Sequence, residues 1–488
     1  MSAPIQIPAG VPTGITSAIQ QNFLSADLKD ALTSGAQFRA DASKDLLPPH
    51  VGQTKTYSKL SMFDVDLVPA SPTGSITLGE FSTEQFTAKP IPYGKGFRID
   101  GPTAYTFRGD LASKMLGRLW EWSARTTQRL ARGKLFHYAA GTAIVRRAAT
   151  TADSTLLVNS LAGLNQVLVN GNLVPVSSTN PLTITIVAAT TFTAYITGTT
   201  PLNSAFPDGP GEITLSTTLS ANVAAQSYCY SPSQRSTIYR PNSRASSEAI
   251  VSGDIPTLTE ILNMRSRLRG LGIAPHRETR AYHLHVDETF LPNITRDARW
   301  QYATQGMGPI AIFGIQGMFI PQLGIVVFEN NDSPAYGRGK ETLVGAVNYG
   351  GVGGTGTPGS SVSMSDLGLD VVNSTGVQIR RAIMTGADVM TECYIDEELY
   401  FQELGIKKIG NITSNLASYA MGGMEFISGA VDGWRINIQP ALDDRGISCK
   451  FSVSYPFDFV LETDSHADSN TSDVSPLKRA VVCEYAGV

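Results

Sequence analysis

Charge is what this chain has least of. Asp, Glu, Lys and Arg make up only 16% of its 488 residues, against the usual quarter, and the formal net charge is −4. That balance excludes a polyanion binder working through overall charge. Cysteine is scarce too. Cys229, Cys393, Cys449 and Cys483 are scattered without C-x-x-C spacing, which fits reduced, buried thiols in a chain made in a cytoplasm. No apolar run approaches the roughly 20 residues of a membrane span, so no membrane partner is expected. The opening MSAPIQIPAGVPTGITS lacks the basic and apolar regions of a secretory leader. The Asn-x-Ser/Thr sequons at Asn293, Asn331, Asn373, Asn411 and Asn470 are then incidental. With 42% hydrophobic residues, a soluble globular chain of two or three domains is left.

Signatures of catalysis are thin. G-x-S-x-G, the serine-hydrolase elbow, is missing. Gly351-Val352-Gly353-Gly354-Thr355-Gly356 matches G-x-G-x-x-G, but Thr357-Pro358-Gly359-Ser360-Ser361 follows it, where a dinucleotide site needs a helix. Asp64 with Asp66, and Asp443 with Asp444, are paired carboxylates without partner motifs.

The stretch His283-Leu284-His285-Val286-Asp287-Glu288 is a stronger candidate. On a strand, His283, His285 and Asp287 share one face, while Tyr282, Leu284 and Val286 share the other. A metal-dependent hydrolase using His283, His285 and Asp287 is therefore one alternative. A catalytic zinc needs three well-placed ligands with outer partners, and a structural one needs four. Only six histidines exist, with His276 near and His50, His137 and His466 distant. A half-buried strand with a wet polar face is the better reading, and no metal or cofactor is expected.

Along the chain, residues 1–56 form a Pro-, Gly- and Ser-punctuated arm with little core of its own, expected to lie on something else. Alternation then appears at 62–67, 75–81 and 95–100, broken by turn chemistry, and predicts a long hairpin or small sheet with two wet faces. From 110 to about 140, apolar residues recur at spacings of three and four. One stripe is Leu111, Met115, Leu119, Trp122 and Thr126; a second includes Trp120, Ala124, Thr127, Ala131 and Leu135. This predicts a helix of about 30 residues and ~45 Å, capped by Asp110 and ended by Gly141.

Between Arg147 and Arg235 the only charges are Asp153, Asp208 and Glu212, and short Thr-rich strand patterns around an Asn170-Gly171 turn predict an inserted β-sandwich or small barrel. Thr257 and Glu260 have capping-box spacing for a helix ending near Gly270. A strand at 281–286, a helix through 296–300, a Gly-punctuated β region at 310–330 and a last strand at 479–485 complete the pattern.

This order of parts resembles the major capsid proteins of tailed bacteriophages, which have the Hong Kong 97-type fold. Local texture resembles the capsid family of N-four-like podoviruses. Leu78-Gly79-Glu80-Phe81 and Pro92-Tyr93-Gly94-Lys95-Gly96-Phe97 precede the long helix, and Leu291 to Trp300 is similar to a "d-L-R-x-D-x-x-W" segment. The strand pair with Gly314, Gly317 and Gly324 is also similar. His285 is followed by Val286 where the family has proline.

The resemblance implies an α+β fold: an N-arm (1–56), an E-loop hairpin (57–109) and the spine helix of a peripheral domain (110–146). It further implies an inserted all-β domain (147–245), the peripheral domain continued (246–335), a mainly axial domain (336–470) and a C-terminal peripheral strand (471–488). It implies a non-enzymatic subunit that assembles with itself as hexamers and pentamers into an icosahedral shell, in the bacterial host cytoplasm, around double-stranded DNA bound without sequence specificity. Scaffolding, portal and decoration or cement proteins are the further partners implied. Glu80, Arg98, Arg118, Glu121, Arg125, Arg299 and Trp300 are the subunit-interface candidates, with the helix arginines expected to pair with a neighbouring chain. A phage tail or adhesin component is a second alternative, which the single long mid-chain helix fits poorly.

Overall fold

The computed structural model describes residues 37–48, 52–60, 83–99, 111–136, 142–158, 161, 163–169, 172–202, 211–225, 227–232, 237–244, 249–299, 301, 318–320, 324–330, 347–348, 361–362, 377, 379–395, 427–431, 434–439, 449–464 and 477–487. The strands expected at 62–67 and 75–81, residues 1–36 of the arm, Asp110, Gly141 and the glycine loop 351–356 lie outside these residues.

A 3-10 turn, Phe38–Asp41, leads into β1 (Ala42–Leu47), β2 (Lys55–Leu60), β3 (Thr83–Ala88), β4 (Ile91–Ile99) and helix α1 (Leu111–Leu135). Then come β5 (Thr142–Ile144), β6 (Thr155–Val158), β7 (Gln166–Val169), β8 (Asn172–Pro175), β9 (Leu182–Val187), β10 (Thr191–Pro201), β11 (Gly211–Leu215) and β12 (Tyr228–Tyr230). β13 (Ile238–Tyr239), helix α2 (Leu258–Gly270), β14 (Tyr282–Val286), helix α3 (Phe290–Thr295), β15 (Met318–Ile320) and β16 (Ile325–Glu329) follow. The last elements are β17 (Val347–Asn348), β18 (Ser361–Val362), β19 (Ile379–Thr385), β20 (Met390–Ile395), β21 (Ile427–Val431), β22 (Trp434–Gln439), β23 (Cys449–Leu461) and β24 (Ala480–Ala486).

These make an α+β molecule of mixed sheets and few helices. The first sheet has the order β1-β20-β23-β22-β21, with β4 also on β23; the second is β5-β12-β9-β10-β11-β6; the third is β13-β24-β19-β14-β16-β15. β2 and β3 pair only with each other among the described residues, as do β7 and β8.

Strand β23 shows why the first sheet forms. Phe451, Val453, Tyr455, Phe457, Phe459 and Leu461 alternate along it and are all buried, so one face supplies a continuous apolar surface. Helix α1 joins that core through Leu119, Ala131 and Leu135. Its most buried line is Leu119, Ser123, Thr127, Ala131 and Leu135, a strict repeat of four built of small residues in its middle. Ala124, expected on the apolar band, is exposed instead. Ser123 is buried because its hydroxyl donates to the carbonyl of Trp120 (2.8 Å) within the helix. At 25 residues the helix spans about 37 Å, less than the sequence pattern predicts.

Two further expectations are revised. β4 leaves the expected hairpin and pairs along β23, with Pro92 opposite Pro456. The hairpin of β2 and β3 is not wet on both faces, because Phe86 and Ala88 are buried. Elsewhere local chemistry does as its spacing dictates. Thr257 and Glu260 form the capping box of α2, and β7 pairs with β8 from Gln166 opposite Pro175 to Val169 opposite Asn172. The thiols of Cys229, Cys393 and Cys483 are free and buried, and burial pushes Cys229 up to about 12.

The stretch 37–47 does not wait for something outside the chain. β1 pairs in parallel with β20, and Phe38 is fully buried with its ring edge-on to Phe136 at 5.9 Å. The amide of Arg39 donates to Gln128 of α1 (2.9 Å). Its guanidinium makes a two-pronged contact with Glu392, both distances 2.7 Å. The Tyr455 hydroxyl donates to the same carboxylate at 2.8 Å, and Glu392 is wholly buried. Removing one partner of such a pair strands a charge in the interior. Arg39→Ala is expected to cost about 3–5 kcal/mol in urea unfolding. Arg118→Ala, which breaks a half-exposed pair, should cost about 0.5 kcal/mol or less.

Candidate functional site

β14 lies inside the third sheet, between β16 and β19. All five of its residues are buried, so the wet polar face expected for it is in fact covered. Alternation does put His283 and His285 on one side, but Asp287 does not join them. The Asp287 carboxylate accepts from the Thr289 hydroxyl (3.0 Å) and the Phe290 amide (3.1 Å), and also from the Tyr485 hydroxyl. Burial raises this carboxyl above its ordinary range, against the pull of Tyr485 and Arg380. His283, His285 and Asp287 are not one constellation.

The carboxylate that meets the histidines comes from the turn before β1. Asp41 Oδ1 lies 2.6 Å from His283 Nδ1, and Oδ2 lies 2.6 Å from His285 Nε2. Thr385, at the end of β19, donates its hydroxyl to Oδ2 at 2.6 Å. His276 approaches Oδ1 at 3.9 Å and has its Nε2 3.2 Å from the Thr385 hydroxyl. Burial alone would raise the Asp41 carboxyl. The electrostatic pull of His285 and hydrogen bonds from His283 and His285 reverse this and hold it well below its ordinary value.

Proton positions follow from the outer partners. The Gln37 amide donates to Asn330 Oδ1 (2.7 Å), so the amide nitrogen of Asn330 is the group facing His285 Nδ1 at 2.8 Å. His285 therefore accepts on Nδ1 and carries its proton on Nε2, toward Asp41. His283 has Thr279 Oγ1 at 2.8 Å from its Nε2. Phe38, tilted 5.4 Å from His285, and Phe328, stacked 5.3 Å from it, close the cluster.

Asp41, His276 and His283 bring their ligand atoms within 4.8 Å of one another, so a metal has to be considered. A tetrahedral zinc sets neighbouring N and O ligands about 3.4 Å apart. The 2.6 Å between Asp41 and His283 is instead the length of a charge-assisted hydrogen bond. Thr279, His283 and Asp41 also have the order of a hydroxyl–imidazole–carboxylate relay. The donor such a relay needs, the amide after the hydroxyl residue, belongs to Arg280 and is spent on the His276 carbonyl at 2.8 Å. The geometry is that of a structural clasp.

Of the interface candidates, the structure brings Arg118 and Glu121 to each other. Glu80 and Trp300 lie outside the described residues. Arg118 pairs with Glu121 on its own helix at 2.6 Å, and Arg299 donates to Thr259 at 2.8 Å. Arg98 and Arg125 are exposed. Sequence reasoning missed Asp41 altogether, because nothing near position 41 hints at a partner 242 residues away.

No family model matches the chain, and no curated protein does. Solved structures to which it is similar include phage capsids. The capsid of Ralstonia phage GP4 is similar over 100% of this chain and 99% of that one, at 9% identity and a TM-score of 0.46. The capsid of cyanophage Pam1 is similar over 100% and 99%, at 8% identity and 0.47. That of Helicobacter pylori bacteriophage KHP30 is similar over 99% and 100%, at 8% identity and 0.45.

Two measurements check the clasp. Asp41→Ala leaves two imidazole N–H groups and a hydroxyl without their acceptor, and should lower unfolding free energy by about 3–5 kcal/mol. Burial lowers His276 from 6.5 to about 4, so the unfolded chain binds more protons between those values. Stability should therefore fall as pH drops from about 6.5 to about 4, by up to about 3 kcal/mol from this group. In His276→Phe, urea midpoints should vary less across that window.

Proposed function

We propose that the chain is the major capsid protein of a tailed bacteriophage, with the Hong Kong 97-type arrangement of parts, and that its role is structural rather than catalytic. Its copies join as hexamers and pentamers into an icosahedral shell around double-stranded DNA, assembled in the host cytoplasm. The observation that carries this is the hairpin of β2 and β3. It is a two-stranded ribbon that pairs with no larger sheet among the described residues, and such a ribbon is marginal on its own in water.

Side chains rather than strand pairing tie it to the rest of the chain: Lys59 pairs with Glu462 at 2.8 Å beyond the end of β23. Tyr57 stacks on Phe86 at 4.9 Å, and Ala88 packs with Leu47 and Cys393. A neighbouring copy supplies the surface this ribbon lacks, and repeating that head-to-tail contact closes a ring. Helix α1, packed along β4 and β23, gives the subunit the long reach a shell contact needs. The domain edges expected from the sequence, the interface roles of Glu80, Arg98, Arg118, Glu121, Arg125, Arg299 and Trp300, and the scaffold, portal and cement partners belong to the same proposal.

The second sheet is the part a shell could lose. Its ends are adjacent, because Thr142 pairs with Tyr230, and it carries its own core. Negative-stain electron microscopy and light scattering of the chain expressed alone should show shells, partial shells, or rings of five and six. Replacing 142–230 by a short linker should remove surface knobs and leave the rings. A compact dimer or tetramer carrying stoichiometric zinc would overturn the proposal.

A further inference from the structure

The cluster around Asp41 can hold one imidazolium in comfort but not two. As a cation, His283 keeps both its hydrogen bonds, to Asp41 and to Thr279 Oγ1. His285 does not. A proton added to its Nδ1 sets a donor against the Asn330 amide nitrogen 2.8 Å away. Turning that amide over would serve His285 but would point its NH2 group at the Gln37 amide, which now donates to Oδ1 at 2.7 Å. Either way one link between the turn and the sheet breaks. His276 lies face to face with His283, ring centres 3.8 Å apart and planes 13° off parallel, so a proton there stacks one cation on another.

Among the described residues, the other elements packed here supply no second anion to the rings that face Asp41. β14 contributes His283 and His285, the loop before it His276, β19 Thr385 and the end of β16 Asn330. Asp388 acts on His276 from a distance and is held by Arg277 at 3.3 Å. On the segment itself, Arg39 is committed to Glu392 and Asp45 to Lys55 (2.7 Å each).

We propose that residues 37–41 are an acid-released clasp: a second proton on the histidine cluster lifts the turn from β14 and opens the joint between the first and third sheets, while each sheet stays folded. The released state wins at low pH because it exposes His276, which burial holds down at about 4 in the closed cluster, to water and a proton. The clasp does not depend on what the chain assembles into.

Hydrogen exchange of the full chain, followed by mass spectrometry at pH 7.5 and pH 5 and corrected for intrinsic rates, tests this. Protection of 37–41 should fall at least about tenfold at pH 5, while that of 379–385 and 480–486 is kept. Asn330→Asp places a second carboxylate where it can accept from both the Gln37 amide and a protonated His285, and should move release down by about one pH unit. Should that variant fail to fold, His276→Phe, which keeps the stacked ring and removes a titrating group, carries the same expectation. Unchanged protection of 37–41 at pH 5, loss of protection in all three segments together, or release of the folded variants at the parent pH would each overturn the clasp.

Discussion

One carboxylate ties the strand that opens the first sheet to the middle of the third. Asp41 is fully enclosed, and a bare charge in such a place costs many kilocalories unless hydrogen bonds answer it. Two imidazoles and a hydroxyl answer it here, all at 2.6 Å. Since those donors sit on β14 and β19 while Asp41 opens the strand that pairs with β20, satisfying the charge aligns the third sheet with the first. The turn cannot shift by an ångström without stranding a donor or the charge itself.

The neighbouring contacts reinforce that alignment by different physics. Arg39 and Glu392 form a buried pair whose third partner is the Tyr455 hydroxyl, and Tyr455 is also a member of the apolar face of β23. Phe38 fills the space between Phe136 and the ring of His285. Five consecutive residues, 37–41, thus touch the first sheet, the third sheet and the region of α1. A short segment with so many long-range partners makes the folded unit cooperative, and it also concentrates sensitivity to pH at one joint.

Much of the secondary structure was legible because it rests on local rules. The capping box at Thr257, the pairing of β7 with β8 and the alternation along β9 express backbone chemistry within a few residues. The long helix was legible in type but not in its buried line: Ser123 and Thr127 are polar by name, yet each returns its hydroxyl to a carbonyl of its own helix and so presents a small apolar surface. The polar face of β14 was misjudged for a related reason. Two histidines on one side of a strand look solvated unless the covering group is known, and that group is 242 residues upstream of His283.

The sequence by itself determined which stretches are helix, strand or turn, that cysteine, net charge and the usual catalytic motifs contribute little, and the order of parts that resembles a phage shell subunit. Periodicity and turn chemistry act over a few residues, so a string of letters carries them. The tertiary structure alone decided that β4 belongs to β23, that Asp287 serves Tyr485 rather than a metal, and that Asp41 belongs to His283 and His285. Those pairings are set by which buried charges and apolar faces find partners across hundreds of residues, and no local pattern encodes the choice.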